Sequence, residues 1–472
     1  MKIHKNTKAI ILLVAFLSIF LFAFIPIPVK AQGVTLKIIV SDQQKPGVDG
    51  VIADFLASSL GTGVDDVEVI ASGTRADDQL VYLVAQMTAE STEFDVIGID
   101  PPWMAQFAEN NWVIELGPLL GTNELDDYVD GMVAACTYNG KVWAYPYFMN
   151  LGLLWYRSDL MTKYGFDETD FDTWADLKTV ANTILNNEDE QKLNYDLVGY
   201  VGQFDAYEGG VCNFFEWIGS NGVADIMVDG TSVDLTDPKI EEAMTFLKGL
   251  FAPRYTGVMN NSYIIPRAGL VHDEGSSVGA FWGGNAIFMR QWTFAYGGAV
   301  DAGLDFGVCP LPTFTGAAGE KSSVVGGAIL SIPTYSTHQT EALNLIKFLG
   351  DELAQEFELT EVSNFPALES VFDNPPSGWG WITEVKDQLP RTLTRPVTPK
   401  YSLMSVQIAD KFADIIGCVK NASVGLAEME QDVNEVLAGP PPIIPGFNIA
   451  ILILTITGTL ATIAIYKKKK QK

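Results

Sequence analysis

The side chains that most often carry out catalysis are scarce in this 472-residue sequence. Three histidines are present, His4, His272 and His338, and the first lies in an N-terminal apolar segment. That leaves little material for histidine acid–base catalysis or for a zinc site. The stretch Gly275–Gly279 matches the nucleophile-elbow pattern G-x-S-x-G, but an acidic loop precedes it where the pattern requires a strand. The sequence therefore argues against a serine hydrolase, and it predicts no cofactor and no metal.

Acidic residues keep one class of enzyme open. The 58 Asp and Glu residues must include some close pairs, and a glycosidase needs two carboxyl groups at a suitable separation. A sequence does not reveal that separation. A surface-anchored carbohydrate-active enzyme is therefore the alternative to a binding protein without catalysis.

Aromatic rings and an amide are concentrated in the stretch Lys141–Ser158, KVWAYPYFMNLGLLWYRS. Rings come first, Asn150 and Gly152 follow, and Leu153–Tyr156 is an apolar run typical of a buried strand. Pro146 favours extended backbone at the residue before it. We interpret the stretch as a crossing between two lobes, with its turn presenting ring faces and one amide to a cleft. A buried strand of one large core is the alternative.

Such a cleft would suit a sugar, because ring faces pack against the apolar faces of sugars while polar groups bind the hydroxyls. Other candidates follow two predicted strands, Val67–Ile70 and Phe94–Ile99: Arg75 comes after the first, and Asp100 and Trp103 after the second. Functional groups in parallel α/β sheets collect at the carboxyl ends of strands. A solvated charge at Arg75 and a core anchor at Trp103 are the structural alternatives.

The elements that position these residues alternate between strand and helix patterns, which predicts βαβ units and a largely parallel sheet. The length predicts two or three domains. Asp237 as N-cap and Pro238 at the first helical position predict a helix over Pro238–Leu250. The segments Val278–Trp282 and Ala286–Phe288 are predicted to form a hairpin-like pair of strands.

Both ends of the chain carry membrane signals. Residues 1–31 combine early lysines with an apolar run and a small-residue cleavage site, which predicts a signal peptide; an uncleaved anchor is the alternative. Phe447–Tyr466 is uncharged and long enough to be a transmembrane helix, and the lysines in 467–472 predict a cytoplasmic tail. Residues 439–446 form a proline-rich linker. We therefore expect the chain between them to lie outside the cell, anchored in the membrane.

The net charge bears on which macromolecules the protein can bind, and the cysteines bear on disulfides and on metal or redox sites. Nine of the 30 basic residues and none of the 58 acidic ones lie in the two terminal segments, so the part between them has a formal charge of −37. So acidic a protein repels nucleic acid and anionic lipid, which argues against both as partners. The cysteines predict at most one disulfide or buried thiols, and they lack the C-x-x-C spacing of redox and zinc sites. They are Cys136, Cys212, Cys309 and Cys418.

Ordered blocks of the sequence resemble the extracellular solute-binding proteins of ABC transporters, in particular the maltose/trehalose-type sugar-binding group of family 1. They extend over residues 33–438, and their order is more specific than any single block. The blocks are Phe94–Gly117, Lys141–Asp159, Gly202–Asn221, Ala286–Tyr296, Phe306–Pro312, Val325–Pro333 and Arg395–Pro399.

The resemblance implies an α/β, two-lobed periplasmic-binding-protein-like (type II) fold whose interlobe hinge closes on a ligand. The first lobe would comprise residues 33–146 plus 307–351, and the second 147–306 plus 352–438. The implied protein is a monomer that binds a carbohydrate, expected to be a di- or oligosaccharide. It would deliver this ligand to the permease subunits of an importer without catalysis.

The resemblance also implies the binding residues. Arg75 and Asp100 would bind hydroxyls, Trp292 would stack on a sugar ring, and Gly327 would offer a backbone contact. Where disaccharide-binding members often carry Asp, this chain has Asn150, and Ala328 replaces a Trp that many members carry, so the ligand could differ. The full implied set is Arg75, Asp100, Trp103, Phe148, Asn150, Tyr207, Trp292, Phe294, Gly327 and Arg395.

Overall fold

The computed structural model describes most of the chain between the two predicted membrane segments. The predicted signal peptide, transmembrane helix and tail lie outside the described residues, as does the linker after Gly439. Within the described part, no helix combines the length and apolar character needed to cross a bilayer. The described ranges are 33–190, 197–253, 263–316, 322–386 and 389–439.

The described residues form strands, α-helices and short 3₁₀ turns, with one π-helix at Glu358–Val362. The strands are β1 (Val34–Val40), β2 (Val64–Ala71), β3 (Val96–Ile99), β4 (Thr137–Tyr138), β5 (Lys141–Val142), β6 (Tyr145–Leu151), β7 (Leu153–Arg157), β8 (Val198–Val201), β9 (Met227–Val228), β10 (Ser232–Val233), β11 (Ala286–Gln291), β12 (Phe306–Cys309), β13 (Ser323–Ser331), β14 (Phe365–Pro366) and β15 (Thr392–Leu393). The α-helices are α1 (Lys45–Ala57), α2 (Ala76–Thr88), α3 (Met104–Glu109), α4 (Asp130–Ala135), α5 (Ser158–Tyr164), α6 (Trp174–Glu190), α7 (Glu208–Gly219), α8 (Pro238–Lys248), α9 (Glu274–Trp282), α10 (Ala295–Asp301), α11 (Gln339–Leu349), α12 (Glu352–Phe357), α13 (Glu369–Asp373), α14 (Ile382–Lys386), α15 (Tyr401–Ile416) and α16 (Ala422–Ala438). The 3₁₀ turns are Pro101–Trp103, Gly117–Leu119, Glu168–Phe171, Arg267–Val271 and Leu389–Arg391.

Two sheets define two lobes, as predicted. The first has the strand order β14–β6–β13–β3–β1–β2, with β15 paired to β13, and the second has the order β12–β7–β11–β8. In the first sheet β1 runs parallel to β2 and β3, whereas β13 is antiparallel to both β3 and β6. The central strand β3 is buried throughout, since helices cover both faces of such a sheet. Each sheet contributes to its own hydrophobic core.

The lobe boundaries in the structure differ from the predicted ones. Strand β6 belongs to the first sheet as far as Leu151, so it continues past residue 146, where the first segment of the first lobe was predicted to end. Pro146 is accommodated in the strand opposite Ile329, where the register with β13 shifts. Strand β12 belongs to the second sheet rather than the first. Strand β14 and helices α13 and α14 pack with the first lobe, and only then does the chain return to the second lobe with α15 and α16.

Local signals account for some elements and fail for others. Helix α8 begins as predicted, with the Asp237 carboxylate accepting the Lys239 N–H at 2.9 Å. The prediction of a strand over Val278–Trp282 is wrong, since this segment is the second half of α9. The Asp273 side chain caps that helix by accepting the Ser276 N–H at 2.9 Å. A helix followed by β11 therefore replaces the predicted hairpin.

Candidate ligand-binding cleft

The first crossing between the lobes is at Gly152, between β6 and β7, within the stretch that the sequence singled out. A Cβ atom at this position would lie 1.9 Å from Oε1 of Glu216 and 2.5 Å from Nη2 of Arg290. The backbone thus passes directly against a buried ion pair, an approach that only glycine permits. The crossing is confirmed, and the interpretation as one large core is wrong.

A cavity of about 280 Å³ lies between the lobes. It is at the small end of the range for small-molecule pockets, which starts at roughly 300 Å³. Its walls combine aromatic rings with hydrogen-bonding groups and a bend of backbone from β13. The predicted residues that line it are Asp100, Phe148, Asn150, Tyr207, Trp292, Phe294, Gly327 and Arg395.

Arg395 joins the two walls of the cavity. Its guanidinium donates to both carboxylate oxygens of Asp100, at 2.8 and 2.6 Å, and to Oε1 of Glu208 at 2.7 Å. Asp100 follows β3 of the first lobe, whereas Glu208 begins α7 of the second. Burial alone would lower the pKa of Arg395, but the neighbouring carboxylates, Asp100 foremost, raise it. Burial also raises the pKa of Glu208. With two carboxylates around one guanidinium, no positive charge is left over for an anionic ligand.

Asn150 also spans the lobes. Its Oδ1 accepts a hydrogen bond from Thr293 of the second lobe, and its Nδ2 donates to Asn364 of the first at 3.2 Å. The Asn364 amide in turn donates to the buried Glu358 carboxyl at 2.8 Å, which also accepts from Tyr147. Burial raises the pKa of Glu358 to about 7. An amide has two N–H groups and two lone pairs, so Asn150 retains one of each for a ligand.

The aromatic wall of the second lobe is held by Glu274, at the first position of α9. Its carboxylate accepts from the Tyr207 hydroxyl at 2.5 Å and from the Trp292 indole N–H at 3.3 Å. Burial, followed by the Glu274 charge, raises the pKa of Tyr207 well above its usual range. Because one carboxylate holds both rings, the wall is fixed within a single lobe.

Two predicted residues do not line the cavity. Arg75 lies 3.2 Å from Asp205 across the lobe interface, and its Cζ is 4.3 Å from the centre of the Tyr207 ring. Trp103 is buried in the core of the first lobe, with 2% of its surface exposed. The structure therefore corrects the predicted set: Arg75 forms an ion pair with the other lobe, and Trp103 is the core anchor given above as its alternative.

Some cavity residues were not predicted. Glu208 stood next to Tyr207 in a block that resembled the family, and Glu274 stood in the acidic loop before the G-x-S-x-G match, so both had a signal in the sequence. The other unpredicted residues include Gln44, Thr74 and Asn364.

The G-x-S-x-G match lies in α9 without a preceding strand, and the Ser277 hydroxyl donates to the Asp273 carbonyl at 2.8 Å. Within the described ranges, no three His, Cys, Asp or Glu side chains are grouped for a metal ion.

The four cysteines all lie within the described residues and are free thiols. Three of them are shielded from solvent or partly so, and burial raises the pKa of Cys136 and of Cys212. Cys212 is among the residues that line the cavity. The expectation of buried thiols is met for Cys136 and Cys212, whereas Cys418 is exposed.

Comparison with known proteins agrees with this architecture. Residues 60–356 match the family model described as bacterial extracellular solute-binding protein. A probable ABC transporter-binding protein of Deinococcus radiodurans is 26% identical over 387 residues, which cover 78% of this chain and 88% of the relative.

Solved structures share the fold. Maltose-bound MalE3 of T. maritima has a TM-score of 0.75 at 24% identity, covering 85% of this chain and 99% of that one. The GacH receptor of Streptomyces glaucescens has a TM-score of 0.71 at 19% identity, with 85% and 98% covered. The matched family consists of binding proteins and not of enzymes, as the sequence predicted. This chain belongs to the bacterial extracellular solute-binding protein family.

Proposed function

We propose that this protein is the receptor of an ABC importer and that it holds a neutral carbohydrate between its lobes. The observation that carries the proposal is the convergence of Trp292, Tyr207 and Phe148 with the polar groups of Asn150 and Gly327 on one cavity. Rings supply surfaces for the apolar faces of a sugar, and the amides supply partners for its hydroxyls. The volume favours a ligand of one or two sugar rings over a long oligosaccharide.

The relatives support both parts of the proposal. The Deinococcus radiodurans protein is named as an ABC transporter-binding protein, the T. maritima structure holds maltose, and the GacH receptor was solved in complex with acarbose. A Mycobacterium tuberculosis protein of the same fold, UgpB, was solved with glycerophosphocholine, which carries a phosphate and a quaternary ammonium. Fold alone therefore does not decide between a neutral sugar and a solute with charged groups.

The charges around the cavity favour the neutral ligand. Among the described residues that line it, Arg395 is the one cation, and it is already paired with Asp100 and Glu208. Glu274 adds a further negative charge. An anionic ligand would enter a site with an excess of carboxylates and no unpaired cation, which costs electrostatic free energy.

A thermal-shift panel on the purified full-length protein tests this proposal. Maltose and trehalose are the neutral probes, and maltose 1-phosphate and trehalose 6-phosphate are the matched anionic ones. A ligand that binds only the folded state raises the unfolding midpoint, so we expect at least one neutral sugar to raise it and both anions to leave it unchanged. A shift with the anions alone, or with none of the probes, would contradict the proposal.

A second measurement separates the receptor from the carbohydrate-active enzyme. After prolonged incubation with the protein, maltose and trehalose are expected to be recovered intact by chromatography, since a receptor releases its ligand unaltered. The enzyme would be favoured instead if glucose appeared in proportion to the protein concentration and did not appear with heat-denatured protein.

We further propose that the receptor is anchored at the cell surface. The support is in the sequence: an N-terminal signal segment, a proline-rich linker and the uncharged stretch Phe447–Tyr466 followed by lysines. In cell fractionation, the full chain should sediment with membranes, and a chain ending at Gly439 should appear in the medium. Release of both into the medium would refute the anchor.

A further inference from the structure

The guanidinium of Arg290 lies against the face of Trp292, with its Cζ 3.8 Å from the centre of the ring. Arg290 is fully buried, whereas Trp292 is partly exposed and lines the cavity. The benzene part of the indole also meets Gly326, where an added Cβ would lie 3.1 Å from Cζ3. One indole face is thus covered by a cation, and the same ring forms part of the cavity wall.

Arg290 is itself held in place on several sides. Its Nε and Nη2 donate to the two oxygens of Glu216 at 2.7 and 2.5 Å, and its Nη1 donates to Gln203 at 2.9 Å. The Glu216 carboxylate also accepts the Val324 N–H of β13 at 3.2 Å. Since Gly152 packs against the same ion pair, this support contacts both the crossing between β6 and β7 and strand β13 of the first sheet.

We propose that Arg290 and Glu216 are positioning residues that fix the Trp292 indole as the stacking surface for a sugar ring. The inference rests on the proposed carbohydrate function and deepens it. A planar guanidinium in a bidentate pair lies flat against an indole, whereas a lysine ammonium is a point charge on a flexible chain. The pair therefore sets affinity through the orientation of Trp292, without touching the ligand.

The test is calorimetric titration of maltose into the wild-type protein, Arg290→Lys, Trp292→Ala and the double variant. The control is Arg157→Lys: Arg157 lies in the same lobe and pairs with Asp159 at 2.6 Å, but it is not among the cavity residues. We expect Arg290→Lys to bind about tenfold more weakly, because a lysine ammonium lacks the flat bidentate geometry that orients the indole, and we expect the control to match wild type. In the Trp292→Ala background, Arg290→Lys should have no further effect.

The outcomes separate this inference from the proposed function. Unchanged affinity in both Trp292→Ala and Arg290→Lys would overturn the stacking site and this inference together. A loss in Trp292→Ala with wild-type affinity in Arg290→Lys would overturn the inference alone, as would equal losses from Arg290→Lys in both backgrounds. If Trp292→Ala binds maltose too weakly to measure, the affinities of Arg290→Lys and Arg157→Lys are compared instead. Equal affinities in these two variants would overturn the inference.

Two further measurements each remove one dependence: the first needs no lysine variant, and the second needs no maltose. Arg290→Met/Glu216→Gln removes both buried charges while Gln can still accept the Val324 N–H, and it should lose affinity to the same extent. In ¹H–¹⁵N spectra without ligand, the indole N–H signal of Trp292, identified by its absence in Trp292→Ala, should shift and broaden in Arg290→Lys. The same signal at its wild-type position and width would overturn the inference.

Discussion

Two arginines flank the cleft, and each lies over an aromatic ring while pairing with a carboxylate. Arg290 over Trp292 pairs with Glu216 inside the second lobe, and the two charged side chains are 0% and 2% exposed. Arg75 over Tyr207 pairs with Asp205 across the lobes, with 35% and 33% exposed. The first arrangement exists whether or not the lobes meet, whereas the second forms only when they do. One wall of the cleft is therefore preorganised, and the other contact is available to stabilise closure.

The largest expected effect comes from breaking the buried pair. Arg290→Met leaves the Glu216 carboxylate buried without its cation, which should lower the free energy of unfolding by about 3–5 kcal/mol. Urea unfolding measures this. Arg290→Met/Glu216→Gln is the matched control and should recover much of the loss, because it leaves no buried charge. A cost below about 1 kcal/mol for Arg290→Met would mean that the pair is not preorganised.

A buried carboxyl without an arginine sharpens the same comparison. Burial raises the pKa of Glu358 from 4.5 to about 7, so between these pH values the folded protein binds more protons than the unfolded chain. The stabilising effect of this proton is therefore present in acid and is lost as pH rises to about 7.

The Glu358→Gln variant isolates this effect. The difference in unfolding free energy between wild type and Glu358→Gln should change by up to about 3 kcal/mol between mildly acidic and mildly alkaline pH. The wild type should lose stability relative to the variant as the pH rises. Urea unfolding at both pH values measures it, and other titrating groups cancel in the difference. Parallel pH profiles for the two proteins would show that Glu358 titrates normally.

A smaller effect is expected where the backbone packs against the buried pair. Gly152→Ala places a methyl group 1.9 Å from the Glu216 carboxylate and should cost about 1–3 kcal/mol of unfolding free energy. The matched control is Gly279→Ala in α9, where the added Cβ has no atom within 4 Å beyond its adjacent residues and its own helix backbone; it should be neutral or stabilising by up to about 1 kcal/mol. Equal effects of the two substitutions on the urea midpoint would contradict the packing described at the crossing.

The smallest effect is expected at the exposed pair. Arg75→Ala removes an ion pair that solvent screens, so maltose affinity should fall by about 0.2–1 kcal/mol, less at high salt than at low salt. Calorimetry at two salt concentrations checks this, with Asp205→Asn as the matched variant. A loss as large as that of Trp292→Ala would place Arg75 in contact with the ligand and remove the distinction between the two arginines.

The sequence predicted the elements whose causes are local. Asp237 and Pro238 start α8 by chemistry confined to one turn, and the apolar run after Gly152 forms β7 because it is buried. The prediction failed at Val278–Trp282 because the local N-cap signal of Asp273 was not used. It failed at β14 because that strand joins the first lobe by pairing with β6, which lies far along the chain.

The site shows the same division. Rings and amides marked much of the cavity, but which arginine faces a ligand depends on partners far along the chain. Arg395 meets Asp100, 295 residues away, and Arg75 meets Asp205, 130 residues away. The Arg290–Trp292 contact had a local signal that was not used: Arg290 lies near the end of β11 and Trp292 directly follows it, and residues two apart in extended backbone share a face.

The most direct test of the account is whether Trp292 carries ligand affinity. Calorimetry with maltose compares wild type, Trp292→Ala and Trp143→Ala; the last is a partly exposed indole that donates to the Tyr138 carbonyl at 3.1 Å and is not among the cavity residues. The account predicts about tenfold or weaker binding for Trp292→Ala, as for loss of a central aromatic contact, and wild-type affinity for Trp143→Ala. Wild-type affinity in Trp292→Ala, or equal losses in both, would contradict a sugar held between the lobes against this ring.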